Sequence, residues 1–284
     1  MKKHLKYMYI SPKKSCGSDQ IPSLTWSKLA DGISQPLSYI FNLCLKEAHL
    51  PYLWKAADIA PLPKTTPPSI RDIRPISLLA MPERIFEKLL VKRIGDEFLS
   101  RFDYKQFAYR PKSSTTCALL EIEDRITSQL QERSVLACHL LAVDLMKGFD
   151  RVPHDLLIQK MTNDGFSKFT ILFTRNYLHS RRMRVRWKGS FSSFSFIKSG
   201  IPQGSSLGPL IFGYFISDMN LCQSHNAMLV KYADDIFLLG NITKNTTKSP
   251  VIDAYEQVVK WTQKNKMAIR KEMSTNVCYN WRKK

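Results

Sequence analysis

Asp234 and Asp235 stand side by side in KYADDIFLLG, residues 231–240, inside a run that otherwise reads as buried strand. Two adjacent anions in a partly buried turn raise each other's pKa or recruit a cation. Oxygen-only donors suit Mg²⁺, which keeps several waters and is held by one or two carboxylates together with substrate phosphates. A third carboxylate, Asp144, lies near the end of the apolar run SVLACHLLAVDLM that starts at Ser134. On a neighbouring strand it would complete a two-metal site of the kind polymerases use. A solvated turn is the alternative, because Asp is common in turns, and the pair by itself leaves both readings open.

A second feature is a row of cations. Arg182, Arg184, Arg186 and Lys188 alternate with Met183, Val185 and Trp187. Strand alternation would put the cations on one face, where they could track phosphates. A solubilising edge strand protected by its charge is the competing reading.

The elements that must carry these residues follow from periodicity. The first third reads as helices joined by Pro-rich loops, and PLPKTTPPSIRDIRP (61–75), with five prolines, reads as a loop or short-strand excursion. After Pro82, apolar residues Ile85, Phe86, Leu89, Leu90, Ile94 and Phe98 recur at helical spacing. A further helix from about Thr115 is expected to turn Leu119, Ile122, Ile126 and Leu130 toward a core. The run after Ser134 is a strand that delivers Asp144. MRVRW and SFSFIK read as a hairpin, and an apolar helix follows from about Ser205. NAMLVKYADDIFLLG reads as a hairpin with the aspartates at its tip, and a helix runs from about Pro250 to Lys266. An α+β fold is predicted, with an antiparallel sheet backed by helices.

Composition bounds the partners. The chain of 284 residues is 44% hydrophobic, enough for a sizeable core, while 43 Lys and Arg against 24 Asp and Glu give a formal charge of +19. That excess favours a polyanion, nucleic acid ahead of an anionic membrane surface. Six scattered cysteines (16, 44, 117, 138, 222, 278) form no C-x-x-C pair, which points to reduced, mostly buried thiols in an intracellular protein rather than zinc ligands or disulfides. MKKHLKYMYI lacks the features of a signal peptide, and no apolar run approaches a membrane span, so a nuclear or cytoplasmic location is expected.

AVDLMKGFDRVPH (142–154), SGIPQGSSLGPLIF (199–212) and YADD (232–235) occur in the order and spacing of the blocks of reverse transcriptases. The sequence most closely resembles the non-LTR retrotransposon group, of the jockey-like kind. LPK…IRPISLLAMPERIFEKLL (62–90), QFAYRPKSSTTCALL (106–120) and YLHSRRMRVRWKGSFS (177–192) are similar to further blocks of that group, so the resemblance covers about residues 15–280. It implies a right-hand polymerase fold, with fingers and finger–palm helices over 1–133 and a palm over 134–284. The chain is expected to lack a thumb.

The resemblance also implies roles for particular residues. Asp144 and Asp234 would coordinate two Mg²⁺, for which Mn²⁺ could substitute. Asp235 would complete the acidic triad, and the Leu145 carbonyl would be a further metal ligand. Phe149 matches the bulky residue that excludes a ribose 2′-hydroxyl. Gln203 and Gly204 match the block that shapes the nucleotide pocket. Lys64 and Arg74 are candidates for the triphosphate. Arg110, in the Ala-Tyr-Arg that takes the place of the family's Gly-Phe-Arg, joins Arg182, Arg184 and Arg186 as a nucleic-acid contact. The implied partners are an RNA template, a DNA primer and dNTPs, with no protein partner implied.

Departures from the family pattern frame the alternatives. Met146-Lys147-Gly148-Phe149 stands where Ser-Lys-Ala-Phe is usual. Arg270 takes the place of an Asn and Met273-Ser274 that of a Lys-Thr pair, whose lysine is thought to be a general acid toward pyrophosphate; Lys271 is two residues away. The leading expectation is an RNA-directed DNA polymerase domain. A truncated remnant that only binds nucleic acid is the alternative. An RNA-dependent RNA polymerase is disfavoured by Phe149 and Ala233.

Overall fold

The computed structural model describes residues 16–63, 66, 73–221, 227–270 and 275–279. In chain order the helices are α1 (Ser23–Lys28), α2 (Ala30–Glu47), α3 (Met81–Leu99), α4 (Thr115–Gln131) and α5 (Gly148–Arg151). They continue with α6 (His154–Asn163), α7 (Lys168–Leu178), α8 (Gly208–Phe215) and α9 (Pro250–Lys264). The strands are β1 (Ala56–Pro63), β2 (Ile73–Leu79), β3 (Val135–Asp144), β4 (Arg182–Trp187), β5 (Ser190–Phe191) and β6 (Ser195–Phe196). The last three are β7 (Ala227–Tyr232), β8 (Asp235–Thr243) and β9 (Thr275–Tyr279). The mixed α+β class expected from the sequence is present.

Contacts divide the chain into two compact units, each discontinuous in sequence. The first comprises the described residues of Met1–Glu97 and Pro153–Gly208. Its sheet runs β2-β1-β4-β5, with β6 also on β4. β1 pairs antiparallel with β2 and parallel with β4. Behind it, Phe86 of α3 packs among Phe41, Trp54 and Phe173 at ring-centroid distances of 5.1–6.3 Å. Helix α3 therefore behaves as its spacing predicts, with Ile85, Phe86, Leu90 and Ile94 buried.

The stretch read as a loop or short-strand excursion has a strand at each end, with β1 reaching Pro63 and β2 starting at Ile73. Pro61 faces Pro75 across the pair, so two residues without an N–H share one position of the ladder. The two faces expected of β4 are present, with the apolar residues on the more exposed one. Met183, Val185 and Trp187 are 37%, 44% and 55% exposed, whereas the arginines between them are half-buried.

The second unit comprises the described residues of Phe98–Val152 and Pro209–Lys284. Its sheet runs β7-β8-β3-β9, all antiparallel. Val230 of β7 and Leu239 of β8 pack on Ala118 and Ile122 of α4, with Ile126 and Leu140 alongside. The inward face of α4 is Ala118, Ile122 and Gln129, while Leu119, read as core, is 61% exposed.

Cys44 and Cys138 are buried and Cys16 and Cys117 half-buried, whereas Cys278 is exposed; among the described residues the cysteines are free thiols. Among the described residues no helix is long and apolar enough to cross a membrane.

Candidate active site

In the second unit the register of β3 and β8 sets Asp144 directly opposite Asp235. The β7–β8 hairpin closes from Tyr232 to Asp235, leaving Ala233 and Asp234 as a two-residue turn. Of the three carboxylates expected from the sequence, Asp144 and Asp235 thus sit on adjoining strand ends and Asp234 in the turn beside them. Residues directly opposite on an antiparallel pair share a face, and like charges there repel. That repulsion calls for a cation. In this structure the nearby cation is Arg270, with Nε 3.6 Å from Asp144 Oδ2. Oxygen donors of this kind suit Mg²⁺. The side chains as placed are less convergent: among the described residues, no group of three His, Cys, Asp or Glu side chains is gathered to hold a metal ion.

The turn is held from behind. Ala233 adopts φ +55°, a left-handed conformation that glycine usually supplies in such turns. The Ala233 N–H donates to Oε1 of the fully buried Gln106 over 3.2 Å, and the same oxygen accepts from the Ala108 N–H. The chain around Gln106 runs parallel to β7, with Phe107 N–H on the Lys231 carbonyl and Lys231 N–H on the Lys105 carbonyl. Lys231 itself is buried. Its ammonium donates to the Ile216 and Met219 carbonyls and lies 2.8 Å from Asp103 Oδ2. These partners offset the cost of burying the polar head.

Leu145 is buried and bridges Ile269, while Met146 N–H bonds the Ala268 carbonyl and Arg270 N–H the Asp144 carbonyl. Residues 268–270 are thereby zipped to the end of β3. Lys271 and Met273, which raised the question of a general acid, lie outside the described residues.

Phe149 stacks on Phe212 at 4.2 Å and meets the edge of Tyr109 at 6.3 Å. Two rings thus fix its position. Burial pushes the Tyr109 phenol up to about 12, with the negative potential of Asp234, Tyr232 and Asp235 adding to the shift. Tyr109, Phe212 and Gln106 were not singled out from the sequence as site residues; two look like ordinary core aromatics and the third like a surface glutamine. Arg110 spans the Tyr104 and Phe102 carbonyls at 3.4 and 3.2 Å, which ties down the preceding loop.

In the first unit, Gln203 and Gly204 occupy a turn after Gly200 and Pro202. Gly204 adopts φ +104°, and a Cβ there would come within 3.3 Å of the Ser77 carbonyl oxygen. The Ser77 N–H donates to the Gln203 carbonyl over 2.8 Å. Arg74 is exposed on β2 opposite Leu62, and Lys64 lies outside the described residues.

The arginines of β4 form a stack with aromatic rings. Arg182 lies 4.5 Å from the Tyr52 ring and 4.7 Å from Phe194. Arg184 lies 4.7 Å from Phe194 and 4.0 Å from Phe191, and Arg186 lies 5.8 Å from Phe191. Guanidinium faces attract ring faces, so cations and rings alternate along the strand. Arg184 Nε also holds the fully buried Asp58 at 2.8 Å.

The fold has solved counterparts. Apo telomerase from Candida tropicalis, truncated from its C-terminal domain, aligns over 93% of this chain and 58% of its own length at a TM-score of 0.53 and 14% identity. Telomerase from the same organism in complex with a fragment of telomeric RNA aligns over 94% and 47% at 0.55 and 12%. At such identities the likeness is one of fold. The sequence defines the family: residues 62–282 match Reverse transcriptase (RNA-dependent DNA polymerase), and the chain belongs to it. Among Drosophila melanogaster relatives, the probable RNA-directed DNA polymerase from transposon BS is 28% identical over 94% of this chain and 30% of its own length. The RNA-directed DNA polymerase from mobile element jockey matches to the same extent, and that from transposon X-element is 27% identical over 96% and 31%. The chain spans about 30% of the length of these relatives.

Proposed function

We propose that this chain carries the catalytic carboxylates of an RNA-directed DNA polymerase, which joins dNTPs to a primer 3′-hydroxyl on an RNA template. The observation that carries this reading is the register of Asp144 against Asp235, with Asp234 in the adjoining turn, on a sequence that belongs to the reverse transcriptase family. Residues 1–133 correspond in this reading to fingers and finger–palm helices, and 134–284 to the palm.

Asp144, Asp234 and the Leu145 carbonyl would hold two Mg²⁺. Bound there, the ions would stabilise the negative charge that develops on the attacking and leaving oxygens. The chain's own residues do the rest. The opposed aspartates keep an electronegative edge open to cations, and Gln106 keeps the turn that bears Asp234 in place. Phe149, braced by Phe212 and Tyr109, occupies the space of a 2′-hydroxyl. Gln203 and Gly204 shape the nucleotide pocket, and Arg74, exposed on β2, and Lys64, by its place in the sequence, are the candidates for binding the triphosphate. The edges of the stacked guanidiniums of Arg182 and Arg186 offer N–H donors to template phosphates.

Primer extension on a homopolymer RNA template with Mg²⁺ or Mn²⁺ tests the reading. Asp144→Asn and Asp234→Asn should each abolish extension while circular dichroism and the melting temperature stay level or rise, because each removes a repelling anion. Extension by either variant at near wild-type rate would refute the two-metal assignment. A wild type that binds RNA–DNA hybrids with no extension would leave a nucleic-acid-binding module.

A further inference from the structure

The first unit buries Glu83 and Glu87 of α3 together with Tyr177 of α7 and Arg181 just beyond it. Glu83 accepts from Arg181 at 2.7 Å. Glu87 has a different task. Its Oε1 accepts from the Tyr177 hydroxyl at 2.6 Å, and its Oε2 from the Ser206 N–H at 2.6 Å, with the Leu207 N–H also bonded. We infer that Glu87 is a positioning residue for the Gln203–Gly204 turn, and that through this turn it sets the affinity for the incoming nucleotide. The inference rests on the nucleotide-pocket reading of Gln203 and Gly204.

The turn is anchored at both ends. Upstream, Ser77 of β2 holds the Gln203 carbonyl. Downstream, Glu87 holds two consecutive backbone N–H groups. Between the anchors, Gly204 takes a left-handed conformation, Ser205 N–H returns to the Pro202 carbonyl, and Ser205 Oγ accepts from Gly208 N–H at 2.8 Å. The two anchors thus hold the backbone from Gln203 to Leu207 on both sides of Gly204. Burying a carboxylate is costly, and a Leu or Met at 87 would fill the same space. Either would leave the Ser206 and Leu207 amides without an acceptor, and the downstream anchor would be lost.

Two readouts on the full chain separate a positioning role from mere core packing. Backbone hydrogen exchange reads the anchor, and steady-state primer extension with varied dNTP reads its consequence. In Glu87→Ala, exchange at Ser206 and Leu207 should quicken by about tenfold, as expected for loss of a buried acceptor, while α3 amides keep their protection. The dNTP KM should rise by about fivefold to tenfold with kcat and template–primer affinity within about twofold, the pattern of lost uniform binding. Glu87→Gln keeps an acceptor for Ser206 and should recover most of both effects. Tyr177→Phe should fall between Gln and Ala, and it carries the test with Glu87→Gln if the Ala variant does not fold. Unchanged exchange at Ser206 and Leu207 in all folded variants overturns the positioning role. Faster exchange with an unchanged dNTP KM, in an enzyme that extends primers, overturns the nucleotide-pocket reading of the turn and the affinity claim with it. Should the wild type extend nothing, the polymerase reading fails and the exchange arm alone decides the anchor.

Discussion

Arg270 Nε lies 3.6 Å from Asp144 Oδ2, so the carboxylate that faces Asp235 across the strand pair already has a cation at its side. Both side chains are partly exposed, at 21% and 26%, and an ion pair of this kind is worth at most about 1 kcal/mol. It competes with any metal for the same oxygens. Arg270→Gln should therefore lower the Mg²⁺ concentration at half-maximal extension by up to about fivefold, the equivalent of that energy. A Mg²⁺ titration of the two proteins measures it. An unchanged or higher requirement would show that Arg270 supports the site instead of shielding it.

Phe149 owes its position to the 4.2 Å stack on Phe212 and the edge of Tyr109. Phe149→Ala should admit ribonucleotides, read as the ratio of rNTP to dNTP incorporation. Phe212→Leu should relax the same discrimination more weakly, since it leaves the ring but removes a stacking contribution of about 0.5–1.5 kcal/mol. Discrimination that survives Phe149→Ala would take that residue out of the pocket.

Arg184 is more than a surface cation, because Asp58 beneath it is fully buried and also bonded by Gln20 Nε2 at 2.7 Å. Arg184→Ala should cost about 2–4 kcal/mol of stability in urea unfolding, since it strands a buried carboxylate. Asp58→Asn with Arg184→Met should recover part of the loss. Nucleic-acid binding is then better probed through Arg74 and Arg186. Neutralising each should lower the log–log salt slope of hybrid binding by somewhat under ~1. A loss of stability below about 0.5 kcal/mol for Arg184→Ala would return it to the solvated edge.

The buried carboxyls of α3 give the first unit a pH dependence. Two carboxyls, Glu83 and Glu87, face one guanidinium, Arg181, and Glu83 Oε2 has no hydrogen-bond partner. Burial pushes Glu83 up to about 8 against the pull of Arg181, and Lys55 is pushed down to about 8 by burial and by Arg181. Between 4.5 and 8 the unfolded chain has released a proton that folded Glu83 keeps, so stability falls as pH rises. Between 8 and 10.5 the unfolded chain keeps the proton that folded Lys55 has released, so stability rises again. The slope is bounded at about 1.4 kcal/mol per pH unit for one proton. Glu83→Gln should flatten the lower limb in urea titrations from pH 5.5 to 7.5. A wild-type stability that does not change across that range would show the carboxyl to be ionised.

Much of the second unit was legible because its signals are local. The runs of β3, β7 and β8 are apolar and bounded, and Ala-Asp-Asp breaks the hairpin where a turn is required. The first unit hides more. Three prolines, at 61, 63 and 75, mask β1 and β2, and only the facing of Pro61 and Pro75 across the pair explains how a ladder accommodates them. Alternation in β4 gives two faces without saying which turns inward. Asp58 and the rings of Tyr52, Phe191 and Phe194 decide that, and two of these four, Asp58 and Tyr52, lie far from the strand in sequence. Helical period placed α4 correctly, but a rotation of one residue separates Leu119 from the buried Ala118. The carboxylates were legible as a set. Gln106 was not, because its work is done on a backbone N–H 127 residues away.

Lys231 has no exposed surface and precedes the Tyr-Ala-Asp-Asp turn directly. An acylating reagent needs access to an amine, and burial among Asp103 and the Ile216 and Met219 carbonyls withholds it. Surface lysines would be modified at once. Lys231 would react only in the fraction of molecules whose second unit has opened, so its labelling rate is a built-in clock for that opening. The clock sits on the strand that carries the turn. Each acylation event would therefore report, at a single residue, the lifetime of the closed arrangement around Asp234 and Asp235.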